Sequence, residues 1–168
     1  ANLPLPLLPL QILWMNLVED GLPNFALAFE KGEKGIMKRR PLRRGEPILD
    51  RRAKVLAFTF GIVTDVTLLG IFYLFLTLTD FPLEYIRTII FAALGTDSLM
   101  YVFSLKNLGE PIYKTNLWDN RYLVAAALIG FLMIGLAIYL PVLNLFLRTM
   151  PLKLYHIVFI LVLGILKL

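Results

Sequence analysis

Residues 11–23 read QILWMNLVEDGLP, and this stretch decides how the rest of the chain is interpreted. It places an amide and two carboxylates, Asn16, Glu19 and Asp20, inside a segment that is otherwise apolar enough to cross a bilayer. An ionisable side chain at the centre of a membrane helix costs about 2.5–3.5 kcal/mol. Polar residues at such a position therefore indicate a functional site.

The spacing of these three residues predicts one shared polar face. Asn16, Glu19 and Asp20 stand at i, i+3 and i+4, which are neighbouring positions on an α-helix. Gly21 and Pro23 follow at once, and both interrupt helical hydrogen bonding, which frees backbone carbonyls beside the carboxylates. Hard oxygen ligands next to a broken helix at membrane depth are how transport proteins build a cation site. We therefore predict a cation site here.

Composition indicates a membrane protein. The chain has 168 residues, 58% of them hydrophobic, and a mean hydropathy of +0.74, whereas soluble domains are about 45–50% apolar. At about 20 residues per span, this length allows four to six crossings. The sequence contains no cysteine, which excludes disulfides and thiolate ligands. The apolar, proline-rich opening lacks the features of a signal peptide, so we expect a piece of a longer polypeptide.

Hydropathy predicts an all-α transmembrane bundle of about five spans, with the first span broken at Gly21–Pro23. A basic linker, residues 30–52, separates the first two spans. We treat residues 1–168 as one transmembrane domain, with spans at about 3–29, 53–79, 83–105, 121–140 and 152–168.

The basic residues predict an orientation. If the first span enters from outside, residues 30–54, residues 106–121 and the C-terminus are cytoplasmic, and they hold 14 of the 17 Lys and Arg residues. The positive-inside rule favours this arrangement. We therefore expect a multi-pass protein of the cell membrane with a cytoplasmic C-terminus. The cluster Lys38–Arg44 is expected to contact anionic lipid headgroups or a neighbouring domain, and we expect no nucleic-acid partner.

Further acidic residues lie inside the other predicted spans. Asp65 and Asp97 fall near mid-depth, as Asp20 does, so a shared polar site is geometrically feasible. Asp97 is interpreted either as a ligand or proton relay, or as half of an interhelical hydrogen bond. Asp65, with the neighbouring hydroxyl of Thr64, is either functional or paired with a helix outside this chain. His156 is predicted to be an interfacial residue.

Residues 11–23, with ALAFE at 26–30, resemble the sixth transmembrane helix of P-type cation-transporting ATPases, in the calcium-pump-like type II branch. IMKRRP at 36–41 and EPIL at 46–49 are similar to the cytoplasmic loop that follows this helix in the family. The first fifty residues carry the specific match, and the remainder agrees in hydropathy and loop order. The resemblance implies that the chain forms helices six to ten, the C-terminal transmembrane region of such a pump.

The resemblance also implies a set of metal ligands. Asn16 and Asp20 fall on family positions that bind the transported cation, and Glu19 stands where sarcoplasmic-reticulum-type calcium pumps have a threonine ligand. This added charge leaves ion identity and stoichiometry open. An ungapped count places the family's ligand position of the third span at Ser98, one residue after Asp97, and we predict Asp97 as the further ligand. Asp65 has no named counterpart.

The resemblance implies an ATP-driven pump in which phosphorylation drives alternating access. Oxygen ligands suit Ca²⁺, and protonation of the same carboxylates on the return step would give proton counter-transport. ATP and Mg²⁺ would bind the parent chain outside this region, which lacks the phosphorylated Asp-Lys-Thr-Gly motif and so has no catalytic residue. The expected partners are the bilayer and the remaining helices and cytoplasmic domains of the parent. The alternatives are a membrane scaffold or accessory subunit, and part of a secondary cation transporter.

Overall fold

The computed structural model describes residues 3–30, 51–105 and 119–166. For residues 19, 20, 51–53, 56, 57, 60, 105 and 166 within these ranges it describes the backbone alone. The greater part of the basic linker, including the Lys38–Arg44 cluster, and the loop 106–118 lie outside the described residues. The orientation argued from their charges therefore stays a prediction.

Every regular element within the described ranges is a helix, which confirms the all-α fold class. Proline stands at the first turn of several helices, where its fixed φ suits a helix start and its missing N–H is not needed. The elements in order are α1 (Pro9–Met15), a π-helical segment (Asn16–Gly21), α2 (Leu22–Leu27), α3 (Arg51–Leu78), α4 (Leu83–Leu105), α5 (Arg121–Tyr139), α6 (Pro141–Leu147) and α7 (Leu154–Leu166).

The predicted interruption of the first span takes the form of a π-helix. Its i→i+5 bonding covers Asn16–Gly21, upstream of the Gly21–Pro23 break expected from the sequence, and α2 begins directly after it. Pro23 lies in the first turn of α2, where a residue without an N–H is tolerated. The chain therefore stays helical through the polar stretch and changes its hydrogen-bond register there.

Three of the described helices are long and apolar enough to cross a membrane, and α7 is a shorter apolar helix. The crossing segments are Gly61–Leu78, Leu83–Ser104 and Arg121–Tyr139. Large apolar side chains are widely exposed on the outside of the bundle; Phe58 is 70% exposed and Leu145 is 80% exposed. Exposed apolar surface on this scale is typical of contact with lipid. The chain is therefore part of an integral membrane protein.

Helix α4 is the centre of the bundle and packs against α3, α5 and α7. Most of its residues are buried, whereas most of α3 faces outward. The largest fully buried side chains include Phe91 and Leu99 of α4. Without a hydrophobic driving force between helices in lipid, close packing of this kind is what stabilises the bundle.

The N-terminal ends of α4 and α7 are joined by a buried polar contact. Tyr85 Oη lies 2.9 Å from His156 Nδ1, and the backbone N–H of Lys153 donates to the same hydroxyl at 3.2 Å. The rings of Phe75 and Phe81 lie edge-on to the imidazole. A hydroxyl from α4 and two aromatic rings therefore enclose His156 between the helices near the start of α7, and its position at the bilayer interface stays a prediction.

Gly130 on α5 allows a close approach to α4. A Cβ added at Gly130 would lie 2.6 Å from Leu99 Cδ2, and Leu99 is fully buried. We expect Gly130→Ala to destabilise the protein by about 1–3 kcal/mol, because overpacking a core forces neighbouring side chains to move. The measurement is the thermal unfolding midpoint of the purified protein in detergent.

The same helix offers a matched control. A Cβ at Gly135 would meet nothing within 4 Å, so Gly135→Ala should leave the midpoint unchanged or raise it, since alanine is favoured over glycine in a helix by about 1 kcal/mol. Equal midpoints for the two variants would contradict the packing argument.

Candidate cation site

Asp97 is a buried carboxylate in the middle of α4. It is 4% exposed, and Thr64 of α3, itself 5% exposed, donates a hydrogen bond from Oγ1 to Asp97 Oδ2 at 3.1 Å. A charged group away from water needs such donors, because desolvation penalises it strongly. The structure therefore places a hydroxyl from α3 against a carboxylate in the middle of α4.

The turn of α4 that carries Asp97 is also held by α5 and α7. Leu99 packs against the bare backbone of Gly130 on α5. On α7, a Cβ added at Gly164 would lie 3.1 Å from Thr96 Cγ2, so these two helices also approach closely. Three neighbouring helices, α3, α5 and α7, therefore contact this turn.

The π-helical segment, which carries Asn16, Glu19 and Asp20, contacts both α4 and α5. Val18 and the preceding Met15 are buried, whereas Asn16 is exposed. The side chains of Glu19 and Asp20 lie outside what the structure describes. The segment is thus beside the helix of Asp97, and Asn16 lies on a face that the described helices leave open.

The one-face prediction for these three residues assumed α-helical spacing. The segment is π-helical, so residues at i, i+3 and i+4 do not share a face there in the way they do on an α-helix. Among the described side chains, no three from His, Cys, Asp and Glu cluster in a way that could hold a metal ion. The predicted ligand set therefore stays a prediction.

Two side chains fix the segment before the π-helix. Gln11 is fully buried; its Nε2 donates to the Leu147 carbonyl at 3.0 Å, and its Oε1 accepts from the Leu8 N–H at 3.0 Å. Arg87 of α4 donates from Nε to the Leu5 carbonyl at 2.8 Å. The bond to Leu8 satisfies a donor at the entry of α1, where a helix leaves its first N–H groups without partners, and the bond to Leu147 ties this entry to the end of α6.

Asn120 fixes the segment that follows the π-helix, at the end of α2. Its Nδ2 donates to the Ala26 carbonyl at 3.1 Å and to Glu30 Oε2 at 2.8 Å, while its Oδ1 caps α5 by accepting from the Leu123 N–H at 3.0 Å. The broken helix is therefore bonded to the bundle on both sides of the π-helical segment. π-Helical turns are often found at functional sites, and here the change of register lies between two fixed ends.

Residues 4–168 match the family model described as "Cation transporting ATPase, C-terminus". The chain belongs to this family. The resemblance argued from residues 11–23 and 26–30 is thereby confirmed, because the family match covers nearly the whole chain and extends through the helices that the resemblance assigned from hydropathy alone.

Relatives of this cation-ATPase C-terminal region include named calcium pumps. The chain is 35% identical over 139 residues to "Calcium-transporting ATPase" of Bacillus subtilis, covering 83% of this chain and 16% of the relative. It is 29% identical over 150 residues to "Calcium-transporting ATPase 1" of Bacillus cereus, covering 81% of this chain and 17% of the relative. It is 29% identical over 159 residues to "Cation-transporting ATPase pma1" of Synechocystis, covering 89% of this chain and 17% of the relative. The chain thus spans about one sixth of these relatives' length.

Within this C-terminal region, sequence reasoning missed the partner of Asp97. From the sequence, the hydroxyl of Thr64 is assigned to its neighbour Asp65. The structure instead buries Thr64 against Asp97 and leaves Asp65 exposed. Thr64, Leu68 and Phe72 are buried at i, i+4 and i+8 and mark the inward face of α3. That spacing is the sequence signal that could have identified Thr64. It is weak, because α3 carries apolar residues on nearly all of its faces.

Proposed function

We propose that this chain is the membrane part of an ATP-driven cation pump and supplies oxygen ligands for Ca²⁺. The proposed ligands are Asn16, Glu19 and Asp20 on the broken helix, with Asp97 from α4. Phosphorylation elsewhere in the parent protein would drive alternating access to this site.

The observation that carries the proposal is a buried carboxylate on α4, the helix that the π-helical segment with its oxygen-bearing side chains contacts. Asp97 is 4% exposed in the middle of a helix long enough to cross a membrane, and the π-helical segment contacts that helix. An intramembrane carboxylate is a functional suspect by default. The names of the calcium-transporting relatives support the same function.

The donor chemistry favours Ca²⁺ over softer metals. Zinc and copper prefer imidazole or thiolate, but the sequence has no cysteine and one histidine. That residue, His156, contacts Tyr85 near the N-terminal end of α7. Amide and carboxylate oxygens are what Ca²⁺ accepts, in sets of six to eight. The remaining ligands would come from helices of the parent outside this chain.

The topology follows the charge distribution of the sequence. The C-terminus and the Lys38–Arg44 cluster would face the cytoplasm, the cluster contacting anionic headgroups, and the parent would reside in the cell membrane. ATP and Mg²⁺ would bind the cytoplasmic domains of the parent. The carboxylates would carry protons back on the return step, because neutralising them lowers the cost of an empty site.

The test is calcium transport by the reconstituted parent protein. We expect proteoliposomes to accumulate radioactive calcium when ATP is added outside, and to release it when a calcium ionophore is added. A non-hydrolysable ATP analogue serves as the control and should support no accumulation.

The rival functions give different results in the same vesicles. Uptake driven by an imposed proton gradient without ATP would identify a secondary transporter. Absence of uptake under both conditions, from protein that is folded and correctly inserted, would favour a scaffold or accessory subunit.

A further inference from the structure

The hydroxyl of Thr64 joins two helices, α3 and α4. Thr67, one turn further along α3, donates to the Val63 carbonyl of its own helix at 2.6 Å. Thr64 donates across the helix interface to Asp97 Oδ2. The same own-helix bond, to the carbonyl four residues earlier, is made by Thr77, Thr79 and Thr88.

We propose that Thr64 is a positioning residue for the Asp97 carboxylate, so that α3 contributes to cation affinity without supplying a ligand. The inference rests on the proposed function, in which Asp97 binds the transported cation. It adds a residue and a helix that the predicted ligand set does not contain.

The physical reason is preorganisation. A carboxylate that already has one oxygen fixed by a donor loses less freedom when a cation binds than one that must first be oriented. Residues that hold metal ligands in place change metal affinity by about 10–100-fold when they are removed. Interhelical hydrogen bonds in membranes are weaker, and their measured range corresponds to about a three- to twenty-fold effect. We use the smaller range because Thr64 makes such a bond.

The hydroxyl of Thr64 is not the sole contact between α3 and α4. The two helices also meet through an apolar cluster in which Phe72 packs with Ile86 and Ile90. Valine has nearly the shape of threonine, so Thr64→Val removes the donor while this cluster remains. A change in cation affinity can therefore be separated from a loss of fold.

The experiment measures phosphoenzyme formed from ATP by the full parent pump as free calcium is varied. We expect Thr64→Val to raise the half-saturating calcium concentration about three- to twenty-fold with the maximal level unchanged. Thr64→Ser keeps the donor and should restore the wild-type value within about twofold. Thr67→Val is the matched control and should not shift the calcium dependence, because its hydroxyl serves its own helix.

Asp97→Asn separates failure of this inference from failure of the proposed function. If Thr64 acts through the carboxylate, adding Thr64→Val to Asp97→Ala, which leaves no side-chain oxygen for Thr64 to position, causes no further shift in half-saturating calcium; a full additional shift overturns the inference. A shift with Asp97→Asn but none with Thr64→Val overturns the positioning role and leaves the proposed function standing. No shift with Asp97→Asn removes Asp97 from the ligand set, and the inference with it. A lowered maximum at unchanged half-saturating calcium in Thr64→Val also overturns it.

Discussion

Asp20→Asn in the parent pump is expected to abolish calcium-dependent phosphorylation from ATP. The change keeps the size and one oxygen of the side chain but removes a negative charge from the proposed site. Removing one partner of a buried charge interaction costs about 3–5 kcal/mol, which is more than 100-fold in affinity. The measurement is phosphoenzyme formation across a range of free calcium, with membrane expression checked in parallel.

Asp80→Asn is the matched control for this substitution. Asp80 is exposed in the connection between α3 and α4, outside both helices, so the same chemical change should leave calcium dependence as in the wild type. Unchanged calcium dependence in Asp20→Asn would remove Asp20 from the cation site.

The helical fold of this chain could be predicted because hydropathy dominates it. Apolar runs of about 20 residues favour α-helices, which satisfy every backbone group within the segment in lipid. Local breakers then bound them: Pro82 immediately precedes α4, and Pro141 begins α6. The family could also be inferred from the sequence, since residues 11–23 combine polar groups and helix breakers inside an apolar run.

The π-helical register could not be predicted. Gly21 and Pro23 predict an interruption of the first helix. The backbone hydrogen-bond pattern within the interruption depends on how the helical segments on either side of it are held. Those segments are fixed by side chains distant in sequence, since Gln11 bonds to the Leu147 carbonyl and Asn120 bonds to the Ala26 carbonyl. A local pattern carries no information about such partners.

The sequence also could not predict which helices pack around Asp97. Coincident depth made contact between spans feasible, yet depth does not say which faces meet. On α3 the acidic Asp65 is the more conspicuous residue, but it is exposed, and the less polar Thr64 reaches Asp97. In a soluble helix the apolar stripe would reveal the inward face; in a membrane helix lipid and protein both favour apolar residues, and the stripe disappears.

Asp97→Asn is expected to raise the half-saturating calcium concentration at least about tenfold, with phosphorylation recovered at high calcium. An amide oxygen can still accept the Thr64 hydrogen bond, so the buried contact between α3 and α4 is preserved. The charge is lost, and the calcium affinity of oxygen sites depends on how many charged ligands they contain. The effect is smaller than for Asp20→Asn if the broken helix provides most of the ligands.

Ser98→Ala is the decisive comparison for this prediction. The count along the family's pattern falls on Ser98, whereas burial and the hydrogen bond from Thr64 favour Asp97. Because the two residues are adjacent on α4, both substitutions disturb the same turn, and a general packing effect would appear in both. A calcium shift confined to Asp97→Asn assigns the ligand to the carboxylate. A shift confined to Ser98→Ala would move the ligand position by one residue and leave Asp97 as an interhelical contact.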